Sequence, residues 1–116
     1  MSTSATGEKP YVIHGAQDPS TTTQTRGMVR SPGIVPGANG SSKIWLGLVT
    51  AAPHEEGPPH HHGEAETAAY VLKGKVRVYF GEDFKEFIDA EQGDFLFVPA
   101  YVPHIEANPF DEPQEA

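Results

Sequence analysis

The sequence predicts an all-β, antiparallel fold in a single domain. At 116 residues the chain is long enough for one core and too short for two. It contains 12 Gly and 11 Pro, and it has no long amphipathic run, so many short strands joined by turns are favoured. Apolar and polar residues alternate, most clearly over residues 76–80, as in strands with one buried face.

An extended N-terminal arm is expected over residues 1–42. Residues 1–9 are polar and are expected to fray. A first short strand is predicted at 11–13. Residues 17–40 are rich in Thr, Ser, Gly and Pro but contain two apolar islands. Because a structureless loop of this length is uncommon, we expect one or two edge strands here.

The β-barrel itself is predicted over residues 43–108, followed by a loose acidic tail at 109–116. The first barrel strand has few charges, so we expect both of its faces to be covered. Gly- and Pro-containing turns separate the predicted strands, which lie at 44–50, 67–72, 76–80, 84–88, 95–98 and 105–107.

Composition excludes several classes of function. The net charge of −8 argues against nucleic acid and against an anionic membrane surface, since both need clustered Lys and Arg. The chain has no Cys, which excludes disulfides, thiolate metal sites and a Cys nucleophile. No signal peptide and no apolar run of about 20 residues is visible, so a cytoplasmic protein is expected.

Four possible metal ligands fall in two short segments. His60, His62 and Glu66 lie together, and His104 follows much later in the chain. Because side chains alternate along a strand, His60 and His62 can point into one cavity while His61 points away. Three imidazoles and one carboxylate suit one divalent transition ion: manganese, iron, nickel, copper or zinc.

With these residues in place, the chain resembles the cupin superfamily over about residues 43–108. The first cupin motif reads G-x5-H-x-H-x(3,4)-E-x6-G, and the second reads G-x5-P-x-G-x2-H-x3-N. The residues that carry the resemblance are Gly57, His60, His62, Glu66, Gly74, Gly93, Pro99, His104 and Asn108. Two departures stand out: Gly57 lies closer to His60 than the motif has it, and Tyr101 replaces the glycine of the second motif.

The resemblance implies a small RmlC-like jelly roll, a double-stranded β-helix with the metal ion inside the barrel. It also implies a homodimer and a small-molecule ligand or substrate. The interpretation from the residues agrees with it, since the ligands would lie on neighbouring short strands and a barrel mouth commonly holds a small-molecule pocket.

The position of the acidic ligand has two interpretations. Counting forward from His62, Glu66 fits the motif, whereas counting back from Gly74 the family acid falls on Thr67. Glu66 needs a local β-bulge to face inward with His62, and bulges are common beside active sites. Without a bulge Thr67 faces inward, and the site is three histidines plus water. We favour Glu66, with Glu64 as a weaker substitute.

Further candidates lie near the second motif and in the arm. Glu106 follows His104 by two residues, so it can face the same cavity as a general base, or act as a rim charge. Tyr101 can line the mouth and is a second candidate catalytic residue. Arg26 and Arg30 flank an apolar pair, and either can hold a substrate carboxylate, although solvated or interfacial roles also fit.

These observations support two hypotheses of different class. The first is a metal-dependent cupin that acts on a small organic molecule, as a dioxygenase or with isomerase- or lyase-like chemistry. An open coordination position is what distinguishes a catalytic metal site from a structural one. The second is a metal-dependent binding or sensor module without turnover. An acid, base or arginine beside an open coordination site favours the enzyme, whereas a wholly apolar cavity favours the binding module.

Overall fold

The computed structural model describes residues 9–37 and 41–116, and these form nine short β-strands and two 3-10 turns, at Pro19–Thr21 and Glu82–Phe84. All strand pairs are antiparallel, and the all-β prediction is confirmed. The strands are β1 Val29–Ile34, β2 Leu46–Ala51, β3 Glu55–Glu56, β4 Thr67–Tyr70, β5 Lys75–Phe80, β6 Glu86–Glu91, β7 Phe95–Val98, β8 Ile105–Asn108 and β9 Gln114–Glu115.

The strands form three sheets with the orders β1-β2-β9, β3-β8-β5-β6 and β4-β7. Several neighbours in these sheets are distant in the chain, since β8 lies between β3 and β5 and β9 pairs with β2. A bridge between Lys73 and Glu115 joins the segment after β4 to β9. This topology places the segment that precedes β4 beside the segment that precedes β8.

Buried and outward-facing side chains alternate along β5, and the buried ones contribute to the main hydrophobic core. Val76 and Val78 are buried, whereas Arg77 turns outward and forms two hydrogen bonds with Asp89 of β6, at 2.8 and 3.0 Å. The inward side chains of β5 pack with Val71, Ala90 and the partly buried Leu96. Val71 is fully buried, so the core joins the β5–β6 hairpin to the end of β4.

The C-terminal segment differs from the loose tail expected from its composition. Gln114 is buried in β9 and donates hydrogen bonds to the carbonyl oxygens of Lys75 at 2.7 Å and Ala107 at 3.2 Å. Ala116 exchanges backbone hydrogen bonds with Val49. The buried Asn108 amide donates to the carbonyl oxygen of Glu112 at 2.8 Å. The acidic side chains therefore lie on a segment that completes a sheet.

The N-terminal half meets some expectations and not others. An edge strand does form in the arm, as β1, but the expected strand at 11–13 is absent. Residues 1–8, for which fraying is expected, lie outside the described residues. The expectation that β2 is covered on both faces is wrong, because Leu46 is 61% exposed.

An apolar surface surrounds this part of β2. Besides Leu46 it includes Tyr70 of β4 and Phe95 and Phe97 of β7, and Phe95 is 84% exposed. None of the helical segments in the described part of the chain has the length and apolar character needed to cross a membrane. The cytoplasmic location expected from the sequence stays a prediction.

Candidate metal centre

A backbone bridge brings the two histidine segments together. The amide of His60 donates to the carbonyl oxygen of His104 at 3.0 Å, and the amide of His104 donates back to His60 at 2.9 Å. The two residues form an isolated antiparallel bridge outside the named strands. Directly opposed residues in an antiparallel pair carry their side chains on the same face, so the two imidazoles enter the barrel side by side.

His62 joins them by strand alternation. His60 and His62 are half-buried and His61 between them is exposed, as the sequence predicts. The ring centroid of His62 lies 4.9 Å from that of His60 and 5.3 Å from that of His104, and the rings of His60 and His104 are 4.6 Å apart. The three imidazoles therefore form one compact cluster.

Glu106 supplies the carboxylate of the cluster. It follows His104 by two residues, and its Oε1 lies 3.2 Å from Nε2 of His104 and 3.7 Å from Nε2 of His60. One ligand atom from each of His60, His62, His104 and Glu106 lies within 4.8 Å of the other three. These four side chains could bind a metal ion.

The donor atoms fit that role. Nδ1 of His60 is hydrogen-bonded to the carbonyl oxygen of Pro58, and Nδ1 of His104 to that of Val102, each at 2.9 Å. Since a carbonyl only accepts, Nδ1 of each ring carries a proton and Nε2 faces the cluster, where Nε2 of His104 is hydrogen-bonded to Glu106. Nε2 of His60 and of His62 is buried without a hydrogen-bond partner among the described residues. Buried polar atoms are rarely left unsatisfied, and a cation would satisfy both.

Ionisation in the cluster follows from this geometry. The hydrogen bond to Glu106 raises the pKa of His104 above its ordinary value, although burial opposes it. Burial raises the pKa of Glu106, but its hydrogen bond with His104 and the nearby imidazoles outweigh burial, so the pKa is lowered overall. Burial and the neighbouring His60 lower the pKa of His62. The hydrogen bond between them therefore favours the charged forms of both His104 and Glu106.

The structure does not bring Glu66 to the cluster. Glu66 is exposed just before β4, and Glu64 is exposed as well. Thr67 is half-buried and pairs with Val98 in a register that runs to the end of β4 without a shift. β4 is therefore regular from Thr67 onward, and Glu106, not Glu66, lies with the three histidines.

Tyr101 lies beside the outward-facing His61. Tyr101 is 64% exposed, has a positive φ of 63°, and its ring lies 6.3 Å from that of the outward-facing His61. The sequence suggests Glu106 as a base and not as a ligand. Its spacing of two residues from His104 on an extended segment is the signal that could have placed it in the ligand set.

A cavity opens beside the cluster at His104. It has a volume of about 270 Å³. Its lining is almost wholly apolar and includes Val78, Phe80, Ile88, Val98, Val102 and His104. This volume suits a small organic molecule, since small-molecule sites are concave and mostly apolar with a few polar groups.

Comparison with known proteins agrees with this architecture. The pattern of the family described as "Cupin domain" matches residues 47–116. The chain belongs to the cupin family. The match includes all four candidate ligands, β2 from Gly47 onward, and the strands β3 to β9. No curated protein matches the chain.

Solved cupin-like structures share the double-stranded β-helix. TT1209 from Thermus thermophilus is 22% identical, with a TM-score of 0.64 over 88% of this chain and 91% of that one. The polyketide cyclase RemF from Streptomyces resistomycificus is 21% identical, with a TM-score of 0.66 over 78% of this chain and 62% of that one.

A third structure is of a protein with metal centres. Bacillus subtilis oxalate decarboxylase, described for its Mn(II) centres, is 26% identical, with a TM-score of 0.65 over 79% of this cupin. The likeness spans 25% of the length of the decarboxylase. The similarity therefore concerns one part of a longer chain.

Proposed function

We propose that this cupin is a metal-dependent enzyme that acts on a small organic molecule, with His60, His62, His104 and Glu106 as the metal ligands. The observation that carries the proposal is the pair of buried imidazole nitrogens without hydrogen-bond partners, 4.8 Å or less from a carboxylate oxygen. Three neutral imidazoles and one carboxylate leave one or two coordination positions open on a five- or six-coordinate ion. Open positions are typical of catalytic sites.

Different residues of the chain have separate roles at the proposed site. The carbonyl groups of Pro58 and Val102 orient two of the imidazoles, and the apolar cavity provides space for the apolar part of a substrate. Glu106 can also accept a proton, because its lowered pKa keeps it ionised near neutral pH. A bound divalent ion would polarise a substrate oxygen, or exchange electrons if it is redox-active.

Manganese is the first ion to test. The ligand set suits several divalent transition ions, and the structure of oxalate decarboxylase named for its Mn(II) centres is 26% identical to this chain. We extend the choice of ion, but not the reaction of that enzyme, to this cupin. Dioxygenase, isomerase and lyase chemistry all fit the ligands.

The test is elemental analysis of protein prepared without a histidine tag, compared with two variants. His60→Ala removes a ligand and should abolish stoichiometric metal, since only two imidazoles and one carboxylate remain. His61→Ala is the matched control, because His61 is exposed in the same run of histidines. Unchanged metal content in His60→Ala, or equal loss in both variants, would contradict the proposal.

A non-catalytic binding module is the second candidate. The apolar lining of the cavity favours it, because only His104 among the lining residues named above offers a polar group. Incubation of the metal-loaded protein with a panel of small organic acids, followed by mass spectrometry, separates the two functions. Saturable binding without any product would favour the binding module, and turnover that is lost after chelation would favour the enzyme.

We also propose that the functional unit is a homodimer formed through the apolar surface around β7. Phe95, Phe97 and Leu46 expose 84%, 54% and 61% of their areas there. An exposed apolar surface of this kind commonly marks a protein interface. The residues that line this surface are all uncharged, so a second copy can pack against it without placing like charges in contact.

A further inference from the structure

A row of directly paired residues crosses the inner face of the four-stranded sheet. Val78 of β5 pairs with Glu106 of β8 on one side and with Ile88 of β6 on the other. Directly paired residues of antiparallel strands carry their side chains on the same face, and Val78 is only 3% exposed, so this face is the interior. The row therefore runs from the carboxylate of the metal cluster across β5 to β6.

The cavity beside His104 follows this row. Its lining includes Val78 and Ile88, together with Phe80, which lies two residues after Val78 and so shares its face. Because neighbouring strands are spaced by about 4.8 Å, β6 lies about 10 Å from β8 across the sheet. A ligand with one end at His104 therefore has Ile88 at its far end.

The remaining lining residues belong to a different part of the fold. They include Val98 of β7, in the two-stranded sheet, and Pro99 and Val102, which lie on the segment that leads to His104. Seven of the eight described residues that line the cavity are apolar, and His104 is the eighth. Among these residues, only His104 therefore offers a partner to a polar group of a ligand.

The far end of the row, at β6, is open to solvent and has an acidic neighbour. Ile88 is 45% exposed, although its partner Val78 is buried. Glu86 lies two residues before Ile88 and so faces the same side of β6, where it is exposed. The cation of β5, Arg77, faces outward and is hydrogen-bonded to Asp89. A negative group of a ligand at this end would meet apolar surface and a like charge.

We propose that the ligand of this cavity has one oxygen-bearing head group, held at the metal cluster, and an uncharged apolar body that extends across β5 to Ile88. The proposal rests on the proposed function for the position of the head group. Burial of CH2 groups is favourable, whereas an unpaired charge in an apolar site is costly. Ile88 is accordingly a specificity residue that selects monocarboxylic over dicarboxylic acids of the same length.

The test compares three probes on the full chain: hexanoate, the shorter butanoate, and adipate, which is hexanoate with a second carboxylate at its far end. Affinities are measured by isothermal titration calorimetry, with protein loaded with manganese and again after chelation. The variants are Ile88→Lys and the matched control Phe87→Lys. Phe87 is the preceding residue of β6 and is 49% exposed, and its ring lies on the outer face, 3.9 Å from the guanidinium carbon of Arg77.

We expect hexanoate to bind wild-type protein about fifteenfold more tightly than butanoate, since each buried CH2 group tightens binding about fourfold. Adipate should bind at least about tenfold more weakly than hexanoate, because its second carboxylate has no partner at the β6 end. Ile88→Lys should reverse this preference, since the added ammonium group pairs with that carboxylate. Phe87→Lys should keep the wild-type order. The preference for the longer chain should persist after chelation, at lower affinity.

Four results would each overturn the proposal: no saturable binding of hexanoate, equal affinity for butanoate and hexanoate, wild-type binding of adipate as tight as that of hexanoate, or the same change of preference in both variants. The first three need only wild-type protein, so they stand even if a variant misfolds. Metal content is measured separately in each sample. A preference for hexanoate in protein that holds no metal would refute the proposed function and support the apolar class of ligand.

Discussion

Replacing Glu106 with Gln tests the most specific feature of the metal centre. The substitution keeps the shape of the side chain and removes its charge. The carboxylate oxygen lies 3.2 Å from Nε2 of His104 and 3.7 Å from Nε2 of His60, so an ion held by those nitrogens must interact with it. Glu66→Gln is the matched control, because Glu66 is the exposed acid that the motif spacing suggests.

The magnitude follows from the size of the cluster. With four donor atoms within 4.8 Å of one another, an ion between them lies about 3 Å or less from the carboxylate. A divalent ion and a carboxylate at that distance attract by about 11 kcal/mol at an effective dielectric constant of about 20. Most of this is offset by lost hydration, and removal of one partner costs about 3 kcal/mol. We therefore expect about a hundredfold weaker metal binding in Glu106→Gln.

The assay is competition for manganese and for zinc against a chromophoric chelator, with protein prepared without a tag. Wild type and Glu66→Gln should bind alike, and Glu106→Gln should bind more weakly. Melting temperatures of the metal-free proteins show whether each variant folds. If Glu66→Gln weakened binding as much as Glu106→Gln, or if Glu106→Gln bound like wild type, the assignment of Glu106 as the acidic ligand would be wrong.

Three further predictions concern pH, a turn and the apolar surface. As the pH rises towards the raised pKa of His104, metal affinity should increase about tenfold per pH unit and then level off above it. The reason is that the His104 imidazole must lose its proton before the ion binds. Calorimetry from about pH 5.5 to 8 checks this. Gly74→Ala should lower the free energy of unfolding, measured by chemical denaturation, by about 3 kcal/mol, and Gly93→Ala should lower it by about 1 kcal/mol. Both glycines have a positive φ, but only a Cβ at position 74 would collide with neighbouring backbone atoms. Phe95→Lys should turn a dimer into a monomer in light scattering, whereas Val12→Lys, equally apolar and 72% exposed, should not.

The fold could be predicted from the sequence because the patterns that indicate its strands and turns are local. Short alternating runs, frequent Gly and Pro, and the spacing of the histidines all predict strands and turns that the structure contains. The proximity of His60 and His104 is predicted by the cupin motifs and not by periodicity. A contact between residues far apart in the chain does not show in the local sequence pattern.

The acidic ligand shows why the site was harder to predict than the fold. The choice between Glu66 and Thr67 depends on whether the strand contains one extra residue, because a register shift of one residue moves every side chain to the opposite face of the sheet. Sequence spacing allowed both interpretations. In the structure Glu66 is exposed just before β4, and Glu106 of β8 lies with the three histidines.

The backbone bridge between His60 and His104 also affects how stability should be measured. An ion held by side chains from both segments would act as a reversible cross-link that exists only in the native state. Binding of this kind stabilises a protein by about 2.7 kcal/mol when the free ion is a hundredfold above its dissociation constant. The melting temperature of this protein is then set by the buffer as well as by the chain, and trace chelator or leached nickel from a purification column would shift it.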